Sequence, residues 1–219
     1  MSVTGRADGE EGAGPLKVGV AVTDSLTGLY AANAIQAALA HRDRTGEGQH
    51  IDLALLDVAV ACMANQAMNH LYGATPKRLG NGHPNVVPYQ DFPTADGDVI
   101  IAVGNDGQFA RLCGVLGHPE WADDARFSTN KSRQANRVEL VRLLRTETLK
   151  RRTSDWVSAM EAADVPCGPI NTLDAVFADP QVAARGMEHR EVVVRLGQFG
   201  EVLGDAGVGH DGLVLAVGV

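Results

Sequence analysis

Between Gly80 and Gln90 the chain reads GNGHPNVVPYQ, with two glycines and two prolines around a histidine and an asparagine, and a tyrosine and a glutamine at the end. Residues of these types can do acyl or phosphoryl chemistry. Gly80 and Gly82 permit positive φ and close backbone approach, so N–H groups can reach an anion or a developing oxyanion. Pro84 and Pro88 stiffen the loop and limit its entropy. His83 can donate to an acyl oxygen or a phosphate, and Asn81, Tyr89 and Gln90 can hydrogen-bond polar substrate atoms. A solvent-exposed linker would use the same residues for its turns. The residues alone leave both readings open.

Other signatures of chemistry are missing from the sequence. There is no G-x-x-x-x-G-K-[ST] or G-x-G-x-x-G phosphate cradle, no H-E-x-x-H and no G-x-S-x-G. Cys62, Cys113 and Cys167 are far apart and odd in number, which argues against a disulfide framework and against a zinc site. Cys62 and Cys113 lie in apolar helical runs and read as core residues. Cys167 in VPCGPI is a weak candidate nucleophile without a positioned histidine. Asp24 reads as a helix cap before a general base, and Asp52 as a solvent-facing residue. Trp121 and Trp156 read as core anchors.

The elements that would position the loop follow from periodicity. A polar lead-in, MSVTGRADGEEGAG, reads as loop. A helix is expected from Thr23 or Asp24, buried on several sides, and stopped by Gly46 and Gly48. His50 to Leu53 alternate as a short strand, followed by one Ala- and Met-rich helix ending at Gly73. Ala74 to Gln90 is a long loop and a domain boundary. Asp96-Gly97 separates two strand-like runs, the strongest hairpin signal in the chain. Further helices are expected after Asn105 or Asp106, from Asn130 with Val138, Leu140, Val141 and Leu144 on one buried face, and after Thr153 or Ser154. Two short helices should break at Asp179-Pro180, with Gly186 closing the second.

Composition narrows the class. With 219 residues, 45% hydrophobic, the chain can bury one sizeable core or a core plus a satellite. The net charge of −8 and cations scattered apart from Lys150-Arg151-Arg152 give no basic face for nucleic acid. No apolar run approaches the ~18 residues of a bilayer span, and no apolar signal region opens the chain, so a cytoplasmic location is expected.

Four ordered segments, GPLKVGVAVTDSLTGLYAANAIQAAL, TGEGQHIDLALLDVA, GNGHPNVVPYQDFPTADGDVIIAVGNDGQF and VPCGPINTLDAVFADPQVAARGM, resemble the class III CoA-transferases, the group of formyl-CoA transferase, carnitine-CoA transferase and α-methylacyl-CoA racemase. The resemblance runs from about Met1 to about Met187. It implies an α/β fold: part of a Rossmann-like large domain over 1–75, then a small helical domain of α+β type with a β-hairpin over 76–187. It also implies transfer of coenzyme A between an acyl-CoA and a carboxylic acid, with the CoA thioester as substrate and no bound cofactor or metal. Acyl-aspartyl anhydride and thioester intermediates are expected on one aspartate. In the family that aspartate stands in a Tyr-Asp segment upstream of the part this chain matches, and no aspartate here corresponds to it. The family's glycine-rich loop falls near Gly80 to Gln90, which assigns Gly80, Asn81, Gly82, His83, Tyr89 and Gln90 to a substrate-facing loop. The implied partners are a second copy in an interlocked homodimer, or a separately encoded N-terminal half. Alternatives are a racemase-like fragment, a non-catalytic module or a decayed gene product. Residues 188–219 diverge from the family, and a shifted reading frame is the expected cause.

Overall fold

The computed structural model describes residues 2–187, and the tail expected to diverge, 188–219, lies outside them. The lead-in is more ordered than its composition suggests. Strands β1 (Gly5–Arg6) and β2 (Gly14–Pro15) pair antiparallel. Glycines at 9 and 12 take positive φ in the connection, which lets so polar a segment turn back on itself. Asp8 pairs with Arg78, tying this hairpin to the start of the Gly80 loop.

Helix α1 (Val22–Thr45) follows. Its N-cap is Ala21, with no side-chain cap. Thr23 and Asp24 therefore lie within the first turn, where a carboxylate still favours the positive end of the helix. Gly46, at φ 77°, closes it as expected. No residue of α1 is buried, and Leu29 and Tyr30 are exposed, so the expected multi-sided burial is not met by contacts within the described residues. Residues 50–53 run without a strand partner, because a strand exists only as a hydrogen-bonded pairing and no other strand lies beside them among the described residues. The single helix expected before Gly73 is two, α2 (Leu55–Ala61) and α3 (Ala64–Leu71). Ala64 sits at φ 41°, outside right-handed helical space, which interrupts the ladder.

The hairpin at Asp96-Gly97 forms in the expected place. Strands β3 (Tyr89–Pro93) and β4 (Asp98–Ala102) pair from Tyr89↔Ala102 to Pro93↔Asp98, and β5 (Cys167–Pro169) adds antiparallel to the other edge of β4. Tyr89 and Gln90 thus open a strand rather than end the loop. Helices α4 (Asp106–Leu116), α5 (Asn130–Ala135), α6 (Arg137–Thr148) and α7 (Thr153–Ala162) complete this part. Asn105 caps α4 by accepting from the Gln108 N–H at 2.9 Å. The helix expected as one from Asn130 breaks at Asn136, and its cap is Thr129, in a reciprocal capping box with Ser132. Asn130 is occupied elsewhere: its Oδ1 accepts from the Val87 N–H and its Nδ2 donates to the Asn85 carbonyl. On α6 the buried stripe is Leu140, Leu144 and Thr148. Val138 is 85% exposed, contrary to expectation. Neither Thr153 nor Ser154 caps α7. Asp96, from the hairpin turn, accepts the Thr153 N–H at 2.8 Å and the Arg152 Nε–H at 2.9 Å, and the Thr153 bond, first among its partners, holds this carboxyl below the usual carboxylate range.

One core joins these elements. Phe92, Val99, Ile101 and Val103 of the hairpin region meet Phe109 and Leu112 of α4, Leu140 and Leu144 of α6, and Trp156 and Met160 of α7, all essentially inaccessible. Each such side chain contributes about 1.5–3 kcal/mol relative to exposure. Trp156 donates Nε1–H to the Thr148 carbonyl at 2.7 Å, and Trp121, half-buried, stacks on His118. Cys113 is buried here too, and Cys62 is half-buried. A second unit begins at Ile170. It holds α8 (Leu173–Phe177) and α9 (Pro180–Ala184), capped by Thr172 and Asp179, with the break at Asp179-Pro180 and Gly186 at φ 62°.

One charged group lies inside the core. Arg133 is fully buried: its Nε donates to the Val87 carbonyl at 2.7 Å, Nη1 to the Phe127 carbonyl at 2.9 Å and Nη2 to Asp106 at 2.8 Å, and its guanidinium lies 4.4 Å from the Phe109 ring centre. Arg133→Met would strand two buried carbonyls, each costing about 1–3 kcal/mol. We expect urea unfolding to show a loss of about 3 kcal/mol for this variant; a loss below about 1 kcal/mol would refute the role given to Arg133.

Candidate functional site

The Gly80 loop forms one wall of a cleft of about 890 Å³. Facing it are the β1–β2 hairpin with Leu16 and Lys17, the start of β3, and the outer face of α6. The loop is built by a tight turn. Gly80 takes φ 60°, and Gly82 donates its N–H to the Leu79 carbonyl at 2.9 Å. A side chain at 82 would start 3.0 Å from that carbonyl oxygen and 3.5 Å from Arg137 Nη1. Gly80 is required for its conformation and Gly82 for its closeness. The Gly82 N–H is spent on the turn, whereas those of Gly80 and Asn81 have no acceptor among the described residues. These two are the donors left for a ligand.

The structure gathers Gly80, Asn81, Gly82 and Gln90 around the cleft and sets His83 and Tyr89 apart from its lining. The His83 ring stacks on Tyr89 at 5.2 Å, and the His83 N–H donates to the Tyr89 carbonyl. Nδ1 of His83 accepts the Asn85 N–H at 3.1 Å, which places the ring proton on Nε2. Burial, with Arg137 nearby, lowers the His83 pKa from its ordinary 6.5. A neutral imidazole at pH 7 with one nitrogen engaged is a hydrogen-bonding group here, not a cationic anchor.

The loop is held from behind by α5 and the start of α6. Asn130 and Gln134 donate to the Asn85 carbonyl, Arg133 to that of Val87, and Arg137 Nη2 to those of His83 at 2.8 Å and Pro84 at 3.2 Å. Asn130, Arg133 and Gln134 stand at the three- and four-residue spacing that lines one face of α5, and Arg137 is the first residue of α6. On the other side, the Asn85 amide meets Asn65 and Asn69 of α3. A loop whose carbonyls are read in sequence by fixed donors is preorganised.

The cleft is also basic. Arg6, Lys17, Arg137, Arg142 and Arg145 line it, against Glu10 and Asp91. The sequence scattered these cations over 140 positions, and only folding collects them; the one legible sign was the spacing of Arg137, Arg142 and Arg145 within one helix. Cys167 does not contribute. Its Sγ–H points to the Val157 carbonyl at 3.7 Å, and burial, then Glu161, pushes the thiol above its ordinary pKa. Burial pushes Cys113 up to about 12. Neither is a ready thiolate. No group of His, Cys, Asp and Glu among the described residues has the arrangement of a metal site.

Two outcomes check this geometry. Because His83 binds its proton less readily folded than unfolded, stability should fall as pH drops through 6.5, where the unfolded chain protonates first. His83→Gln should flatten that part of the profile in urea unfolding at pH 7.5 and 5.5; an unchanged profile contradicts the assignment. Alkylation of native protein near pH 8 should spare Cys113 until denaturant is added, and rapid native labelling would contradict its burial.

Comparisons with known proteins then add a family-scale frame. A family model described as CoA-transferase family III matches residues 1–195. The chain is 57% identical over 188 residues to a succinate–glutarate CoA-transferase of Agrobacterium fabrum, covering 85% of this chain and 46% of that protein. It is 43% identical over 197 residues to a human succinyl-CoA:glutarate CoA-transferase, covering 88% and 44%. Among solved structures, a CAIB/BAIF family protein from Brucella suis matches with TM-score 0.66 and 52% identity, covering 85% of this chain and 49% of that one. The chain spans about half the length of the curated relatives it matches.

Proposed function

The chain belongs to CoA-transferase family III, and from that premise we propose that it supplies the loop-and-cleft part of an enzyme that moves coenzyme A between an acyl-CoA and a carboxylic acid. The observation that carries this reading is the Gly80–Gln90 loop, which lines a basic cleft with the unshared N–H groups of Gly80 and Asn81. Acyl transfer generates negative charge on the attacked carbonyl oxygen, and fixed backbone donors stabilise such charge without reorganising. Gln90, beside Gly82, orients polar acyl atoms. The nucleophile is an aspartate outside this chain, whose attack on the thioester gives a mixed anhydride and releases CoA thiolate. The thiolate attacks the aspartyl carbonyl of that anhydride, releasing the donor acid and leaving an aspartyl-CoA thioester; the acceptor carboxylate attacks this thioester to give a second anhydride, and the freed thiolate attacks its acceptor acyl carbon, forming the new acyl-CoA and regenerating the aspartate. No bound cofactor takes part.

In this reading the exposed Leu29, Tyr30, Leu56, Leu71 and Tyr72 of α1, α2 and the end of α3 are covered by the upstream half or by a second copy in an interlocked homodimer working in the cytoplasm. Apolar residues so numerous on one region are an association surface. Among the described residues no helix is long and apolar enough to cross a membrane.

The test is complementation. The chain would be produced with the segment that precedes the matched region in the Agrobacterium relative and supplied with an acyl-CoA and a free acid. CoA exchange is expected. Epimerisation next to the thioester would favour a racemase instead, and neither activity would favour a non-catalytic module. Gly80→Ala imposes left-handed strain of about 1–2 kcal/mol and should slow exchange roughly tenfold. His83→Ala, whose ring is turned to Tyr89, should keep most of the rate.

A further inference from the structure

Asn85 has every polar atom engaged, by three different parts of the chain. Its Oδ1 accepts from Nδ2 of Asn65 at 3.3 Å and of Asn69 at 3.2 Å, and its Nδ2 donates to Oδ1 of Asn69 at 3.0 Å. Asn69 and Asn85 thus exchange two hydrogen bonds as a closed amide pair, and Asn69 Nδ2 also donates to Gln66 Oε1 at 3.1 Å. The Asn85 N–H goes to the His83 ring, and its carbonyl accepts from Asn130 and Gln134 of α5. At this residue α3, the loop and α5 meet.

The two grips on the loop do different things. Helices α5 and α6 hold its carbonyls and, with the turn at Gly80 and Gly82, give it its shape. The side chain of Asn85 reaches the other way and fixes where that shape stands relative to α3. Helix α3 is itself set off from its neighbours, because Ala64 before it takes φ 41° and Gly73 after it takes φ 88°. A non-glycine residue in left-handed space persists only where its surroundings over-determine it, and the amide cluster begins at the next residue, Asn65. The path from Asn85 to the donors is stiff. Pro84 has a fixed φ and restricts His83 before it, the His83 N–H is bonded to the Tyr89 carbonyl, and the Gly82 N–H to that of Leu79. A shift at Asn85 is therefore carried toward Gly80 and Asn81 and not absorbed on the way.

We propose that Asn85 is a positioning residue for the acyl site: paired with Asn69, it registers the Gly80–Asn81 donors against α3. The catalytic consequence rests on the CoA-transferase reading. On that reading the nucleophile belongs with the part of the enzyme that contains α1 to α3, whereas the donors belong to the loop. An oxyanion donor acts only within hydrogen-bond distance of the oxygen that the attack charges, and misplacement by about 1 Å can cost about a hundredfold in rate. The Asn69–Asn85 pair is a contact within this chain that sets that distance.

The decisive variant is Asn69→Ala, which leaves every loop residue in place and puts a better helix former into α3. In the 219-residue chain, amide hydrogen exchange should quicken about tenfold at Gly82 and His83, whose N–H groups are bonded within the loop. Leu112 of α4 and Leu144 of α6 should keep their rates. Asn85→Ala should act alike, and the double variant should do no more than either alone, since the same pair is lost in all three. Asn65→Ala, which removes one exposed donor, should show the pattern more weakly. Circular dichroism confirms that each variant folds. Unchanged exchange at Gly82 and His83 in Asn69→Ala overturns the proposal. Equal quickening of loop and core amides does so too, because the pair would then serve stability alone. In the complemented enzyme Asn69→Ala should lower kcat about tenfold and leave KM within about twofold. An unchanged kcat in an enzyme that exchanges CoA sinks this proposal and leaves the transferase reading standing. Loop-selective quickening, with no CoA exchange by the complemented enzyme, keeps the link from α3 to the loop and removes the transferase reading.

Discussion

The buried guanidinium of Arg133 is the constraint on which the rest depends. An ion placed in a core must be met on every edge, because burying it without partners costs several kcal/mol. Arg133 meets that demand with the Val87 and Phe127 carbonyls, the Asp106 carboxylate and the Phe109 ring. These partners come from the end of the Gly80 loop, the segment before α5 and the first turn of α4. One side chain thereby fixes where the loop meets the core, and Asn130 and Gln134 follow on the same face of α5, with Arg137 at the start of α6. Loop geometry is thus set by α5 and α6 together with the loop's own turn at Gly80 and Gly82.

That arrangement divides labour along the chain. The hairpin, its third strand and helices α4, α6 and α7 form a closed apolar core with its own caps, and Asp96 ties the hairpin turn to α7. The cleft lies on the outside of the same α6 whose inner face is core. Leu140 and Leu144 anchor the helix, while Arg137, Arg142 and Arg145 project the charge. Helices α1 to α3 leave large apolar side chains exposed.

Much of this was legible in sequence. The hairpin at Asp96-Gly97, the Asn105 cap, the Gly46 stop and the Asp179-Pro180 break each rest on a short-range rule, and each was met. The misses are tertiary. Asn130 looked like a helix start and is instead spent on the loop, so Thr129 does the capping. Val138 fits a helical stripe by spacing but lies on the cleft side of α6. The residues at 50–53 alternate like a strand, yet pairing needs a neighbour that sequence spacing cannot supply. The loop stood out by composition, but nothing local said that the Gly82 N–H closes a turn or that His83 would stack on Tyr89. The basic cleft was hidden because its cations come from positions 6, 17, 137, 142 and 145.

The most direct measurement of the central claim is amide hydrogen exchange in the complemented enzyme, with and without a non-reactive acyl-CoA analogue. If the loop presents its donors to the acyl group, exchange at Gly80 and Asn81 should slow on binding, while Gly82, already bonded to Leu79, should change little. Unchanged exchange at Gly80 and Asn81, with protection appearing elsewhere, would contradict the claim that this loop faces the substrate.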